Sequence, residues 1–241
     1  NSGTEYGQMI RNLFVAPEGH TLVVADYSQI EPRLIAGFSR DPVMMQNYHD
    51  GGDLYMTVAE KMGLDRKAGK VLVLSIAYGV GPDNLSKQIG VDYDQAKELL
   101  KDFNDKFPRV ELLKKRVVRQ ALQREVPYVS TPAGRRRYLP ELTSDTFWMR
   151  LRAERQAFNT LIQGTAADTM KMALIAVSDQ ISDSAYITLT VHDEVVVVTP
   201  DALADQTAEA VRAGMEGAAL PGIGVPLLAE VTIADRWGEA K

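Results

Sequence analysis

The chain has 241 residues, of which 45% are hydrophobic and 24% are charged, an ordinary composition for one large or two modest globular domains. It contains no cysteine, which excludes disulfides and thiolate metal sites. No apolar stretch approaches the roughly 18 residues of a membrane span, and the N-terminus lacks the basic and then apolar pattern of a signal peptide.

Charge is distributed unevenly along the chain. The net charge of −5 alone argues weakly against a nucleic-acid partner. Between Lys106 and Arg155, however, 13 basic residues stand against 5 acidic ones, a local net charge of +8, which leaves −13 for the rest (−5 minus +8). This pattern is typical of a phosphate-binding surface beside a carboxylate site, and equally of a solvated helix face.

The first half of the chain begins with one apolar strand and continues with helices. Residues 21–27 (TLVVADY) are a β-branched apolar run, which predicts a buried strand. From Asp53 to about Glu125 the apolar residues recur with helical spacing. Residues 126–139 predict a hairpin about Pro132-Ala133-Gly134.

The second half predicts a long helix and then more strands. The helix runs from about Ser144 to Ser182, with Gly164 as the expected break. Residues 185–198 form two apolar runs joined by His192-Asp193-Glu194, which predicts a hairpin. A helix over 201–215 and a strand over 225–233 follow. Strands at both ends with helices between them predict an α+β fold.

Three acidic residues stand at the ends of predicted strands. Asp26 ends the first strand, and Asp193 and Glu194 lie at the tip of the predicted hairpin. Carboxylates in such positions suit a hard cation, because Mg²⁺ prefers oxygen ligands and uses one or two carboxylates together with substrate phosphates. Taken alone, Asp193-Glu194 is better explained as a polar turn and Asp26 as a helix cap.

Six segments of the chain carry recognisable motifs. They are 26–33 (DYSQIEPR), 66–79 (RKAGKVLVLSIAYG), 134–138 (GRRRY), 154–159 (ERQAFN), 163–168 (QGTAAD) and 191–194 (VHDE). In this order they resemble the family A, Pol I-like DNA polymerases. Residues 26–33 are similar to the first catalytic motif of that family, with Pro32 where the family usually has Leu, residues 191–194 are similar to the third motif, and residues 66–79 resemble the fingers helix.

The resemblance implies a palm built on an antiparallel sheet, with an inserted and mainly helical fingers subdomain. The palm is expected over 1–44 and 151–241, and the fingers over 45–150, with the motif B helix at about 66–79. The thumb and the exonuclease-like domain of the family are expected to be absent from this chain.

The implied function is template-directed addition of deoxynucleotides to a primer 3′ end by two-metal nucleotidyl transfer. The implied cofactor is a pair of Mg²⁺ ions, for which Mn²⁺ can substitute. By resemblance Asp26 and Asp193 are metal ligands, the Tyr27 main-chain carbonyl completes one site, and Glu194 is an auxiliary catalytic carboxylate.

The implied nucleotide-binding residues lie on two segments. Glu31 is expected where a ribose 2′-hydroxyl would have to go, which favours deoxynucleotides, although a glutamate at a helix start also interacts well with the dipole. Arg66 and Lys70 are four apart and share a helix face, with Leu74 and Tyr78 further along it. A cationic stripe suits a triphosphate, but an isolated pair of this kind is more often a solvated face.

A polar stripe is the implied DNA-binding element. Arg155, Asn159 and Gln163 recur every four residues in an otherwise apolar helix, and the resemblance adds His192. Such side chains can hydrogen-bond to base edges in a groove. An exposed helix face without a partner gives the same pattern.

Three departures from the family pattern concern nucleotide binding. Leu74 stands where the family usually has Phe or Tyr, Ser75 where it has Gly, and Tyr55 where it has a His that helps to bind the triphosphate. These changes predict weaker nucleotide binding rather than altered metal chemistry, and they indicate a divergent, phage-type member.

The implied partners are primer–template DNA, a dNTP, and a thumb or exonuclease segment supplied elsewhere, with no membrane. The expected location is the bacterial cytoplasm, or that of the host if a phage encodes the protein; a role in replication or in repair stays open.

Three alternatives remain. A thumbless fragment could bind DNA or assemble with another chain yet be inactive alone. A single-subunit RNA polymerase shares the palm, but Glu31 favours DNA. The two aspartates alone would also suit a two-metal nuclease, but the helix that carries Arg66, Lys70 and Tyr78 would have no function in such an enzyme.

Overall fold

The computed structural model describes residues 5–240, and the chain divides into two compact units. The sheet unit comprises the chain up to Ile30, Ala167–Ala219 and the chain from Leu227 onward. The helical unit comprises Glu31–Ala166 together with Leu220–Pro226. The predicted α+β class, an antiparallel sheet with an inserted helical part, is confirmed.

The elements of residues 5–240 are as follows. The helices are α1 (Glu5–Arg11), α2 (Ile30–Ser39), α3 (Pro42–His49), α4 (Leu54–Met62), α5 (Arg66–Tyr78), α6 (Pro82–Ile89), α7 (Tyr93–Lys106), α8 (Pro108–Leu122), α9 (Phe147–Gln180) and α10 (Ala204–Gly217). The strands are β1 (His20–Tyr27), β2 (Tyr128–Ser130), β3 (Arg136–Tyr138), β4 (Tyr186–Val191), β5 (Glu194–Pro200) and β6 (Ala229–Ala234). Short 3₁₀ helices lie at Pro140–Thr143, Asp201–Leu203 and Trp237–Ala240.

The sheet unit is built on four antiparallel strands in the order β4-β5-β1-β6. The two central strands, β1 and β5, are almost entirely buried. Their unbroken apolar sequences follow from this, because both faces are covered. Helix α10 packs against β1 and β6. Leu22 and Val24 of β1 and Val196 and Val198 of β5 form a hydrophobic cluster with Trp237.

The turn between β4 and β5 is shorter than the sequence suggested. Val191 pairs with Glu194, so the loop consists of His192 and Asp193 alone. The expectation that Glu194 lies at the hairpin tip was wrong, because it is the first residue of β5. His192 has a φ of 57°, the left-handed conformation that two-residue hairpin turns require at their first position.

Helix α9 runs without interruption through Gly164, so the predicted break there was wrong. A Cβ atom at Gly164 would lie 2.9 Å from Thr131 Cγ2, beside the β2–β3 hairpin. The glycine therefore permits close packing of the hairpin loop on the helix, at a helix-propensity cost of about 1 kcal/mol relative to alanine. The predicted hairpin itself is confirmed, with Tyr128 opposite Tyr138.

Part of the basic block serves the helical unit itself. The Arg109 and Arg116 side chains donate to the main-chain carbonyls of Arg40 and Phe38, at and just beyond the C-terminal end of α2. Cations at a helix C-terminus satisfy carbonyls that have no partner within the helix and stabilise its dipole. Within residues 5–240, no helix is both long and apolar enough to cross a membrane.

Candidate active site

The antiparallel register brings the predicted catalytic carboxylates to one end of the sheet. Asp26 in β1 pairs directly with Glu194 in β5, and Asp193 lies in the adjoining turn. The Tyr27 main-chain nitrogen donates to the Asp193 carbonyl over 3.2 Å, which ties the turn to the end of β1. Asp26 and Asp193 are both half-buried. The geometry is set by main-chain hydrogen bonds rather than by flexible side chains.

Glu194 is held by two partners that the sequence analysis missed. Its Oε1 accepts a hydrogen bond from Trp237 Nε1 at 2.6 Å and lies 3.3 Å from Arg11 Nη1. The Arg11 guanidinium also lies 4.0 Å from the centroid of the Trp237 ring. Glu194 is only 2% exposed, so it is a buried and ion-paired carboxylate. No local pattern could reveal this trio, because its members lie far apart in the sequence.

Asp26 has a second acidic neighbour, on β6, that no sequence motif marks. Glu230 in β6 is the cross-strand partner of Asp26, and it is exposed. Cross-strand partners project from the same face of a sheet. Glu194, Asp26 and Glu230 therefore form a row across three strands, with the predicted metal ligand in the middle.

The Tyr27 side chain is held by helix α10 of the sheet unit. Its hydroxyl donates to the Met215 carbonyl over 2.6 Å, and burial, followed by the charge of Glu216, raises the pKa of this phenol. The phenol hydroxyl therefore stays protonated and donates its hydrogen bond to α10. Of the Tyr27 oxygens, the main-chain carbonyl is the one suited to the role that the sequence assigns to this residue.

The donor set fits a hard divalent cation. Asp26 and Asp193 supply carboxylate oxygens and Tyr27 a carbonyl oxygen, which are the ligands that Mg²⁺ prefers. Within residues 5–240, no three His, Cys, Asp or Glu side chains converge into a ready-made metal site. Mg²⁺ commonly needs only one or two carboxylates and takes its other ligands from water and substrate phosphates.

In the helical unit, the predicted nucleotide-binding residues recur along α5. Arg66, Lys70 and Tyr78 are exposed, and Leu74 is half-buried. Gly69, which is buried, allows α5 to approach α4 closely, since a Cβ there would lie 2.5 Å from the Tyr55 carbonyl oxygen. The helix therefore presents its cations to solvent while its small residue faces α4.

Asp53 orients the first of these cations, and the sequence analysis did not foresee it. Arg66 Nε donates to Asp53 Oδ2 over 2.6 Å, while Asp53 Oδ1 caps α4 by accepting from the Tyr55 nitrogen at 2.8 Å. Burial alone would raise the pKa of Asp53, but the hydrogen bonds from Arg66 and Tyr55 and the charge of Arg66 bring it below its ordinary value. The carboxylate therefore joins the starts of α4 and α5.

Tyr55 lies beneath both cations. The Arg66 and Lys70 charges stand 5.7 Å and 5.8 Å from the centroid of its ring. Burial, and then the negative charge of Glu31, raise the pKa of its phenol, which therefore stays protonated at neutral pH. Tyr55, which stands where the family pattern has a His, therefore makes cation–π interactions with both Arg66 and Lys70.

Glu31 and Tyr78 are brought together. The Tyr78 hydroxyl donates to Glu31 Oε2 over 2.7 Å, which joins the first turn of α2 to the last turn of α5. Two of the five predicted nucleotide-binding residues therefore form one hydrogen-bonded pair. Ser75, the other departure on α5, is buried, and its Oγ has no hydrogen-bond partner among residues 5–240.

The predicted DNA-binding stripe lies on the N-terminal half of α9. Arg155 and Gln163 are exposed and Asn159 is half-buried. The stem of Arg155 packs at the end of α5, where a Cβ on Gly79 would lie 2.7 Å from Arg155 Cγ and Cδ. His192, the fourth predicted DNA-binding residue, is exposed in the β4–β5 turn of the sheet unit.

A cleft of about 880 Å³ adjoins this stripe within the helical unit. It is lined by α8, by the end of α5 and by the α9 residues Leu151, Arg155 and Phe158. Lys114 Nζ lies 5.5 Å from the centroid of the Phe158 ring, and burial lowers the pKa of this lysine. No motif in the sequence marks this cleft, because its lining residues come from three separate segments of the chain.

Comparisons with known proteins agree with these motifs. The sequence profile of DNA polymerase family A matches residues 2–239. The chain is 38% identical to the thermostable DNA polymerase I of Thermus filiformis over 99% of this chain, and 37% identical to DNA polymerase I of Pseudomonas aeruginosa over 98% of it. The polymerase domain of Pol1 from M. smegmatis, solved in complex with DNA primer-template and dNTP, superposes with a TM-score of 0.90 at 36% identity.

These matches cover nearly all of this chain but only part of the relatives. The chain spans 29% of the Thermus filiformis protein and 27% of the Pseudomonas aeruginosa protein. The structural superposition covers 99% of this chain and 44% of the M. smegmatis chain. The match extends through both the carboxylate end of the sheet unit and the cationic helix of the helical unit, and the chain belongs to the family A DNA polymerases.

Proposed function

We propose that this chain carries the nucleotidyl-transfer centre of a template-directed DNA polymerase, which adds dNTPs to a primer 3′ end. The observation that carries the proposal is the register of β1 and β5, which sets Asp26 opposite Glu194 with Asp193 in the adjoining turn. The family membership supports the same reaction. In domain terms, we propose that 1–44 and 151–241 act as the palm and 45–150 as the fingers.

Asp26, Asp193 and the Tyr27 carbonyl would hold two Mg²⁺ ions, with Mn²⁺ as a substitute. Bound there, the ions would lower the pKa of the primer 3′-hydroxyl and stabilise charge on the attacking and leaving oxygens. Strand pairing fixes the main chain at Asp26, and the hydrogen bond from the Tyr27 nitrogen fixes the main chain at Asp193, so both carboxylates extend from a defined backbone. Glu194 would be the auxiliary carboxylate beside Asp26, and its position is maintained by Arg11 and Trp237.

The exposed face of α5 would bind the incoming triphosphate. Arg66 and Lys70 supply the positive charge, and phosphoryl transfer depends mainly on such positioning and charge neutralisation. Glu31, fixed by Tyr78, would exclude a ribose 2′-hydroxyl and so favour deoxynucleotides. Leu74 offers an apolar surface in place of an aromatic ring, and this supports weaker nucleotide binding than the family pattern implies.

The primer–template would be bound by Arg155, Asn159, Gln163 and His192. The guanidinium and amide side chains can donate to phosphates or to base edges. Their exposure on one helix face and in one hairpin turn leaves them accessible to a long partner. A thumb or exonuclease segment, in the same protein or in another chain, would be a further partner.

The test is Mg²⁺-dependent primer extension by Asp26→Asn and Asp193→Asn, which remove charge while keeping the shape of each side chain. Both variants should lose activity by roughly 1,000-fold or more, equivalent to about 4 kcal/mol of transition-state stabilisation. The control is Glu18→Gln, an exposed carboxylate before the other end of β1, which should retain full activity. Substantial extension by either folded aspartate variant would refute the assignment, as would equal losses in the control.

A further inference from the structure

The first turn of α9 exposes two large aromatic side chains. Trp148 is 73% exposed and Phe147 is 56% exposed, and their rings meet edge to face with centroids 5.1 Å apart. The chain's other tryptophan, Trp237, is 8% exposed and hydrogen-bonded to Glu194. An exposed tryptophan braced by a second ring is a rigid and flat apolar surface, and such a surface is the kind that binding sites use.

Trp148 lies on the same face of α9 as the proposed DNA-binding stripe. With 3.6 residues per turn, positions 148, 152, 155, 159 and 163 fall within about 80° of arc. Trp148, Arg152, Arg155 and Gln163 are exposed and Asn159 is half-buried, and this face carries no acidic residue. Glu154 projects about 120° away from Trp148 around the helix. The stripe is therefore a continuous surface of cations and amides that ends in an aromatic platform.

The spacing along the helix suits a nucleic-acid strand. Trp148 lies seven residues before Arg155, which corresponds to about 10 Å along the helix axis. Arg152 stands between them, so a cation lies beside the ring on the side towards the stripe. Positive side chains that bind phosphates, interleaved with aromatic rings that stack on bases, are the usual means of binding single strands.

We propose that Trp148 stacks on an unpaired base of single-stranded DNA, with Phe147 bracing the ring and Arg152 contacting the phosphate beside that base. Bases within a duplex already stack on their neighbours, so an exposed ring favours the unpaired part of a template. The inference rests on the proposed function to the extent that the stripe from Arg155 to Gln163 faces DNA. It adds a stacking site at the end of that stripe.

The test measures binding of fluorescently labelled oligo(dT) and of a blunt duplex by anisotropy. Trp148→Ala should weaken oligo(dT) binding about 5- to 150-fold, which is the range expected for one stacked base, and Trp148→Phe should weaken it about twofold. Duplex affinity should stay within twofold for both variants. The matched control is Tyr93→Ala, which removes a 53% exposed aromatic residue at the start of α7 and should leave both affinities unchanged.

Tryptophan fluorescence gives an independent readout. Because Trp237 is buried, oligo(dT) should quench mainly the Trp148 emission, and Trp148→Phe should abolish that quenching. The proposal is overturned if the wild-type chain does not bind oligo(dT), if folded Trp148→Ala binds it as tightly as wild type, or if duplex binding falls equally.

Primer extension separates this inference from the proposed function. Trp148→Ala should extend a primer normally when the template ends at the templating base, and should lose activity only on templates with a long 5′ overhang. Loss of extension in the wild-type chain with Trp148-dependent oligo(dT) binding intact would refute the polymerase proposal alone. Normal extension on both templates by Trp148→Ala would refute the stacking site alone.

Discussion

The carboxylate end of the sheet unit and the cationic face of α5 are held in place by different means. Asp26 and Asp193 are positioned by strand pairing and by a main-chain hydrogen bond, and Glu194 is buried against Trp237 and Arg11. Arg66 and Lys70 are exposed, and their contacts are with the side chains of Asp53 and Tyr55. The first arrangement suits groups that must keep their geometry, and the second suits groups that must adapt to a ligand.

The difference predicts how each region responds to mutation. A change in the carboxylate region should affect chemistry or global stability, because its members are part of the sheet. A change on α5 should affect ligand binding, because its cations contribute little to the fold.

Glu194→Ala should destabilise the chain by about 3–5 kcal/mol, because it leaves the half-buried Arg11 charge and the Trp237 N–H without their carboxylate. Urea unfolding followed by circular dichroism measures this. Glu230→Ala, which removes the exposed carboxylate on the other side of Asp26, is the control and should cost less than about 0.5 kcal/mol. Equal effects of the two variants would show that the buried trio does not anchor this end of the sheet.

Lys70→Ala should raise the KM for dNTP about 10-fold while changing duplex affinity less than twofold. One hydrogen bond between charged groups, worth roughly 1.5 kcal/mol, accounts for the factor. Steady-state kinetics and anisotropy at several salt concentrations distinguish the two effects. Lys101→Ala, an exposed lysine on α7, should change neither. A fall in duplex affinity with a flatter salt dependence would instead make Lys70 a DNA phosphate contact.

Asp53→Asn should lower stability at pH 7 by less than about 1 kcal/mol, because the pair with Arg66 is partly exposed and asparagine still caps α4. Folding lowers the pKa of Asp53, so the stabilisation from its charge is fully present above the pKa of the unfolded chain and is lost as the pH falls through the lower pKa of the folded state. Unfolding curves at pH 7 and pH 3 should show the difference between variant and wild type shrinking. A difference that is unchanged at pH 3 would mean that the carboxylate charge is not responsible.

Much of the fold was predictable because its signals are local. The apolar run of β1, the hairpin that ends in His192 and Asp193, and the helical spacing before Glu125 each depend on neighbouring residues. The same holds for the motif residues of the carboxylate end, because strand ends and turns place them. The exposed stripes of α5 and α9 follow from helical periodicity alone.

What could not be predicted depends on contacts between distant segments. Gly164 was expected to break α9, but its lack of a side chain serves packing against Thr131, more than 30 residues earlier in the sequence. Arg11, Trp237 and Asp53 carry no motif that marks them as partners of Glu194 and Arg66. Sequence periodicity shows which face of an element is exposed, but it does not show which distant side chain will meet it.

Direct metal binding tests, without requiring activity, whether Asp26 and Asp193 hold the divalent cations. Electron paramagnetic resonance can count the Mn²⁺ ions bound by the chain in the presence of dATP and give their affinity. Asp26→Asn and Asp193→Asn should each weaken this binding at least about 10-fold, the range seen when groups around a metal are lost, while Glu18→Gln binds Mn²⁺ as wild type does. Unchanged Mn²⁺ affinity in both folded aspartate variants would show that these two carboxylates do not hold the cations.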